Sequence, residues 1–327
     1  MIHYRPFRND DPPILARLWN DGVPEAVAAA PLRIHELDDH AFNSTLFDPA
    51  GLIMAERDGR PAGFVHAGFG PDEADPAAPG LDRSLGVVAA LVVPRGEGEE
   101  EGALGLVIEA ERYLRRRGAQ VLYGGGLRPL NPFYWGLYGG SEAAGVPSSH
   151  YQFAAALSTL GYEPIATAVH LRFDLSRPDP RDPRAALLHR QVAVEHDEEP
   201  PTSSWWEGLA LGEFSPTRAS LFLKAEGLEV ASARTWDMTW FGRAEGRSRL
   251  GVYDVEVDPA HRRRGYARHL LGEILRWARD RGFQDVEVQT LTDNEPALAL
   301  YGALDFEPVE QSTAFRLPAP FPDRSRP

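Results

Sequence analysis

The 327-residue sequence contains no cysteine. That removes at once a disulfide scaffold, a thiolate zinc site, an iron–sulfur cluster and a cysteine nucleophile. Lysine is nearly absent too: of 34 basic residues, Lys224 is the one lysine, which reads as coding bias rather than function. Positive charge is short overall, and the formal net charge is −14. A sequence-independent grip on nucleic acid needs a basic face against the phosphates, so no nucleic-acid partner is expected, although a local basic pocket is compatible with this balance. No apolar run approaches the length that crosses a bilayer, and Met1 to Pro6 carries no apolar signal core. No membrane partner and a cytoplasmic location are therefore expected. With 43% hydrophobic residues the chain can still build real cores, and its length suits two domains.

The chain repeats itself. Leu85-Gly86-Val87, with Val92 and Pro94, recurs as Leu250-Gly251-Val252, Val257 and Pro259, an offset of 165. Arg117-Gly118-Ala119-Gln120 recurs as Arg281-Gly282-Phe283-Gln284, offset 164. Leu160 to Pro164 recurs as Leu304 to Pro308, offset 144, and Arg172 and Arg316 share that offset. The shrinking offset means that the first copy carries 20 extra residues, and Leu127 to Pro147, rich in aromatics, glycine and proline, fits that insertion. Two tandem domains follow: residues 1–174, a proline-rich linker at 175–183, residues 184–317, and a proline-rich tail at 318–327 expected to fray.

Each copy reads alike. Ile53 to His66 forms a hairpin about Asp58-Gly59, matched by Leu221 to Arg234 about Glu226-Gly227. An extended run follows, then an amphipathic helix with its stripe on Ala103, Val107, Ala110 and Leu114, or on Leu270, Leu271, Ile274, Leu275 and Ala278. A strand, a short helix and a closing strand complete the copy. The predicted class is α/β (α+β), each domain a mixed, mostly antiparallel sheet flanked by helices.

One segment carries chemistry. Val255-Glu256-Val257-Asp258-Pro259 ends a strand, and a helix begins near Gly265; Arg262, Arg263 and Arg264 stand between. A helix start presents unpaired N–H groups and positive dipole character to an anion. Gly265 and Ala267 let a phosphate approach the backbone. The pattern is a pyrophosphate cradle on Arg-x-x-Gly-x-Ala, distinct from the P-loop and dinucleotide fingerprints. Other motifs fail: His35 and His40 are five apart and miss the shared face of a zinc helix, and Gly139 to Ala143 lacks the last glycine of a nucleophile elbow. No metal spacing is found among the histidines, so no metal is expected.

With Arg262, Gly265 and Ala267, followed by Asn294, Ala297, Tyr301 and Asp305-Phe306, the sequence resembles the GCN5-related N-acetyltransferase (GNAT) superfamily. Asp305 stands where that family usually has glycine. The resemblance covers Leu250 to Pro308 and, through the repeat, makes the whole chain look like a tandem GNAT protein. It implies acetyl-CoA as co-substrate and direct transfer of acetyl to an amine, small molecule or peptide. Residues Arg263, Arg264, Gly265, Tyr266, Ala267 and Arg268 would hold the pyrophosphate. Val255 and Val257 would pair with the pantetheine arm, the Val257 amide would polarise the thioester carbonyl, Asn294 would bind the pantetheine, and Tyr301 would protonate the leaving thiolate.

The general base stays open among Glu256 on the strand, ordered water, and the position of Gln289. Some family members carry a glutamate at Gln289, but glutamine cannot take a proton. Two other functions stay open: a non-catalytic acyl-CoA sensor, and a transferase using charged tRNA. The first domain looks disarmed. Offset 165 sets Glu97-Gly98-Glu99-Glu100 against the arginine cradle, and offset 144 sets His150 and Leu157 against Asn294 and Tyr301. It is expected to have lost CoA binding and to give structural support and shape the acceptor cleft; Asn131 to Gly140 either reaches that cleft or is an ordinary surface loop packed by its own aromatics.

Overall fold

The computed structural model describes all residues except 43–44, 74–78, 97, 143–144, 323 and 325–327. The first half runs β1 (Ile2–Pro6), α1 (Pro12–Gly22), α2 (Ile34–Leu37), β2 (Leu52–Arg57), β3 (Arg60–Pro71), β4 (Leu81–Val92), α3 (Glu99–Arg116), β5 (Val121–Gly124), β6 (Val146–Pro147), α4 (Tyr151–Thr159) and β7 (Glu163–Asp174). The second runs α5 (Ala185–Gln191), β8 (Val192–Asp197), α6 (Trp205–Leu211), β9 (Thr217–Leu223), β10 (Leu228–Asp237), β11 (Arg249–Val257), α7 (Tyr266–Asp280), β12 (Asp285–Leu291), α8 (Glu295–Gly302) and β13 (Glu307–Leu317). Among the described residues no helix is long and apolar enough to cross a membrane.

Local chemistry explains the elements. Asp58 and Gly59 take φ of 51° and 75°, the primed turn whose twist matches a two-residue hairpin, and Arg57 pairs with Arg60 across it. The predicted stripes of α3 and α7 are buried, α3 against β3 and β4, α7 against β9, β10 and β11. Each fully buried leucine or isoleucine there contributes about 1.5–3 kcal/mol over leaving it in water. The repeat appears in space as two parallel strand pairs, Leu85 with Val121 and Leu250 with Val286, related by the sequence offset of 165.

The strands form one mixed sheet, ordered β1-β2-β3-β4-β5-β13-β7-β12-β11-β10-β9-β8, with β6 against β13. The two closing strands are exchanged. β13, from the end of the second half, pairs with β5 of the first, and β7, from the first half, pairs with β12 of the second. β7 and β13 also pair with each other along most of their lengths. Polar side chains fix this seam. Arg172 on β7 bonds Glu287 on β12 at 3.1 Å. Buried His170 on β7 meets Ser312 Oγ on β13 at 2.5 Å and Gln289 Nε2 on β12 at 2.8 Å. Burial lowers the His170 proton affinity, so the ring is neutral and can accept from Gln289 while donating to Ser312.

The tail differs from expectation. Arg324 Nε bonds the buried Glu111 carboxylate at 2.6 Å, and Phe321 lies under the Arg115 guanidinium. A buried carboxylate on α3 needs a cation, and the tail brings one.

Because each half lacks its own closing strand, fragments 1–174 and 175–327 produced separately are expected to aggregate or to melt without cooperativity, and to recover a cooperative melt when co-expressed. Circular dichroism melts check this; a sharp transition in either lone fragment would contradict it.

Candidate active site

β11 and β12 are hydrogen-bonded only from Arg249–Asp285 to Val252–Val288. Beyond that point β12 follows β7 out to the Leu291–Ala168 pair, while β11 follows β10 out to Val257–Ala231. The two strands part as a V. A bulge in β11 aids the parting: Asp254 has φ 49°, and the register with β10 shifts there. The Asp258 amide bonds the Val230 carbonyl at 2.9 Å, so strand alternation turns the Val257 amide away from β10 and into the V.

The cradle follows at the end of β11. Asp258 caps the turn Pro259–His261 through the Ala260 amide at 2.8 Å. Arg263 and Gly265 have φ of 65° and 91°, a backbone that turns amides to one side and forms an anion nest. Gly265 is the N-cap of α7, and no side chain caps that helix end. A Cβ on Gly265 would clear its neighbours by at least 3.6 Å, so φ rather than space demands glycine. The arginine side chains are not all turned to the nest. Arg262 Nε donates to the Val257 carbonyl at 3.2 Å, Arg264 to the Ala260 carbonyl at 3.4 Å, and Arg268 to the Arg181 carbonyl at 2.5 Å. The Tyr266 ring is buried in the core, so its amide alone is free to serve the site.

A cavity of about 420 Å³ occupies the V. Val255 and Glu256 line it from β11, Gln289 from β12, and Asn294, Ala297 and Tyr301 from α8 and its cap. Asn294 Oδ1 accepts the Ala297 amide at 3.3 Å and so begins α8. Tyr301 is 5% exposed; burial and the nearby Glu142 carboxylate raise its proton affinity, keeping the phenol protonated. Glu256 is exposed. Asp305 takes φ 58°, the left-handed turn that Gly161 makes at 85° in the first copy. Aspartate tolerates that conformation, which accounts for its standing in place of glycine.

Three charged residues of this cavity were missed in the sequence: Arg128, Glu142 and Asp254. Arg128 and Glu142 belong to the first half's insertion, which crosses the seam. Trp135 is buried among Trp206, Phe214, Trp236 and Tyr253 of the second half. Trp236 Nε1 donates to the Ser141 carbonyl at 3.0 Å, and Arg128 forms a two-pronged pair with Asp254 while lying over the Trp135 and Tyr253 rings. Glu142 follows, its amide donating to Gln289 Oε1 at 3.2 Å. Desolvation pushes its carboxyl up to about 7, Arg128 opposing and Asp254 adding to the shift. The available signal was a charged residue inside a 20-residue insertion, whose aromatics and glycines draw attention to Asn131–Gly140 and to the failed nucleophile elbow at Gly139–Ala143; Ala143 lies outside the described residues.

The first half differs at each step. Its α3 is N-capped by Gly98 (φ 72°), so the counterpart of Gly265 is Gly98, and offset 165 slips by two within a shorter loop. The alignment of Gly98, Glu99 and Glu100 with Arg263, Arg264 and Gly265 is corrected accordingly; Glu97 lies outside the described residues. Glu99 turns back to accept the Gly96 amide at 3.1 Å, so a carboxylate of the chain occupies the loop's own donor. Phe133, Tyr134, Leu137 and Tyr138 pack against Ala89, Ala90 and Val92 at the end of β4. His150 holds the N-cap position of α4 as Asn294 does that of α8, but its side chain makes no cap bond; its ring nitrogen meets the Tyr138 hydroxyl at 2.8 Å instead.

The sequence pattern of the Acetyltransferase (GNAT) family matches residues 184–306, the span that holds V, nest and Tyr301. Residues 184–306 thus carry the GNAT family pattern. N-acetyltransferase 8 of Homo sapiens is 39% identical over 64 residues, 20% of this chain and 28% of that protein. N-alpha-acetyltransferase RimI of Mycobacterium tuberculosis is 44% identical over 72 residues, 20% of this chain and 44% of that protein. The chain thus spans less than half the length of either relative. A tandem GNAT protein from the clavulanic acid biosynthesis pathway superposes over 97% of this chain and 98% of its own at TM-score 0.60 and 16% identity, a likeness of fold. The GNAT fold thus extends over both halves, with a family match in the second.

Asn294→Ala removes the cap of α8 and should lower stability by about 1 kcal/mol, read as a reduced urea midpoint at unchanged slope.

Proposed function

We propose that this protein is an acetyl-CoA-dependent N-acetyltransferase whose single donor site lies in the second half. The observation that carries the reading is the V between β11 and β12, which runs from an anion nest at α7 to a buried, protonated tyrosine. The nest amides from Arg263 to Arg268 and the local arginine charge bind pyrophosphate. The pantetheine arm pairs with β11 at Val255 and Val257, where the Val257 amide stabilises the developing oxyanion, and Asn294 and Ala297 wall the other side. The amine nitrogen attacks the thioester carbonyl, the C–S bond breaks, and Tyr301 gives its hydroxyl proton to the departing sulfur. Tyrosine suits this role because its proton stays on until a thiolate forms beside it.

The first half does not hold a second donor in this reading. Glu99 satisfies its loop amide, and glutamates begin α3, where they would repel a pyrophosphate. The acceptor is a small-molecule or peptide amine. A net charge of −14 and the carboxylates of Asp254 and Glu256 at the cavity favour a cationic one.

Calorimetry with CoA should give one site per chain; no binding, or two equal sites, would overturn the reading. Tyr301→Phe should lower turnover of an amine panel by about 10–100-fold with CoA affinity nearly unchanged. Tight CoA binding by the unaltered protein with no acylation of any amine would favour the sensor.

A further inference from the structure

The general base is the open place in this chemistry. An alkylammonium must lose a proton before its nitrogen can attack, and neither Gln289 nor Tyr301 can take it. We infer that the base is Glu142, delivered by the first half's insertion across the seam to the second half's cavity, so that the active site is built by both domains. The inference rests on the acetyltransferase reading above.

Four observations converge. Glu142 lines the same cavity as Tyr301 and Val255. Its backbone is latched to Gln289 on β12, a residue of that same cavity, by an amide bond of 3.2 Å. The Gln289 amide is oriented from behind: its nitrogen donates to neutral His170, which leaves its oxygen for the loop. Finally, Gly140 lets the loop come this close, since a Cβ there would stand 1.9 Å from Gln289 Nε2. A carboxylate is thus brought to this cavity from another domain.

Glu142 is also suited to proton transfer. Arg128 on its own loop, Asp254 and Glu256 on β11, Glu287 on β12, His170 on β7 and Tyr301 on α8 are the titratable and charged groups around it. Burial outweighs the attraction of Arg128, so its carboxyl titrates near neutrality, where a base is most useful. The step balances. Glu142 takes one proton from the ammonium; the free amine forms C–N as C–S breaks; Tyr301 protonates sulfur. The second nitrogen proton returns to the Tyr301 phenolate, and Glu142 releases its proton to water.

The test needs no knowledge of the acceptor: water standing in for the amine would give its proton to the same carboxylate. Thiol release from acetyl-CoA is followed against pH in the full chain and in Glu142→Gln, with CoA affinity measured by calorimetry for both. The unaltered protein should lose rate as pH falls through about 7. The variant should bind CoA normally, release thiol about 100-fold or more slowly, and lose that limb. Arg128→Met, which removes the charge favouring the carboxylate, should move the limb to higher pH. Equal rates and an unchanged limb in Glu142→Gln with CoA still bound would overturn the inference and leave the donor reading standing. No CoA binding by the unaltered protein would overturn both.

Discussion

The exchange of β7 and β13 is the constraint on which the rest of the molecule depends. By pairing β7 with β12 instead of with its own β5, the fold brings the first half's insertion up to the second half's cavity. The same exchange seats His170 where it can hold Gln289 from behind. Its charges are buried in pairs: Arg172 and Arg249 face Glu287, and Arg249 also faces Asp285. Removing one partner of such a cluster leaves an uncompensated charge, at a penalty of about 3–5 kcal/mol. The seam is therefore specific as well as extensive, since a slip of β7 would break the Arg172–Glu287 pair and the His170–Gln289 bond together.

The duplicated fold has diverged mainly in what fills its clefts. Both halves keep a strand, a left-handed glycine and a helix in the same order, Gly98 before α3 and Gly265 before α7. In the second half the helix end is left without a side-chain cap. In the first, Glu99 folds back on the loop and the insertion packs tyrosines and phenylalanine against β4. One and the same insertion packs its aromatics into the first half's core and, on either side of them, lines the second half's cavity with Arg128 and Glu142.

Much of this was legible in the sequence, for reasons of period and punctuation. Asp58-Gly59 and Gly227 mark hairpins because few other residues take their left-handed angles. The α3 and α7 stripes follow from helical periodicity, and Asn294, Ala297 and Tyr301, picked out by their helical spacing, lie together along one cavity. The exchange was not legible, because each closing strand carries the same pattern whichever sheet receives it. Nor was Glu142, which becomes a site residue through a contact between positions 147 residues apart. The two-residue slip at Gly98 escaped for a smaller reason: a fixed offset cannot register a shorter loop that a longer helix compensates.

The exchanged strands also bear on how the chain is made. Gly124 on β5 pairs with Phe315 on β13, partners separated by 191 residues. At a synthesis rate of about 5–20 residues per second, β5 waits roughly 10–40 s for its neighbour. Through that interval the first half has an unpaired inner edge of the kind that invites wrong partners. Such long-range pairings also slow the search for the native arrangement. The first half, although it emerges first, acquires its finished sheet last.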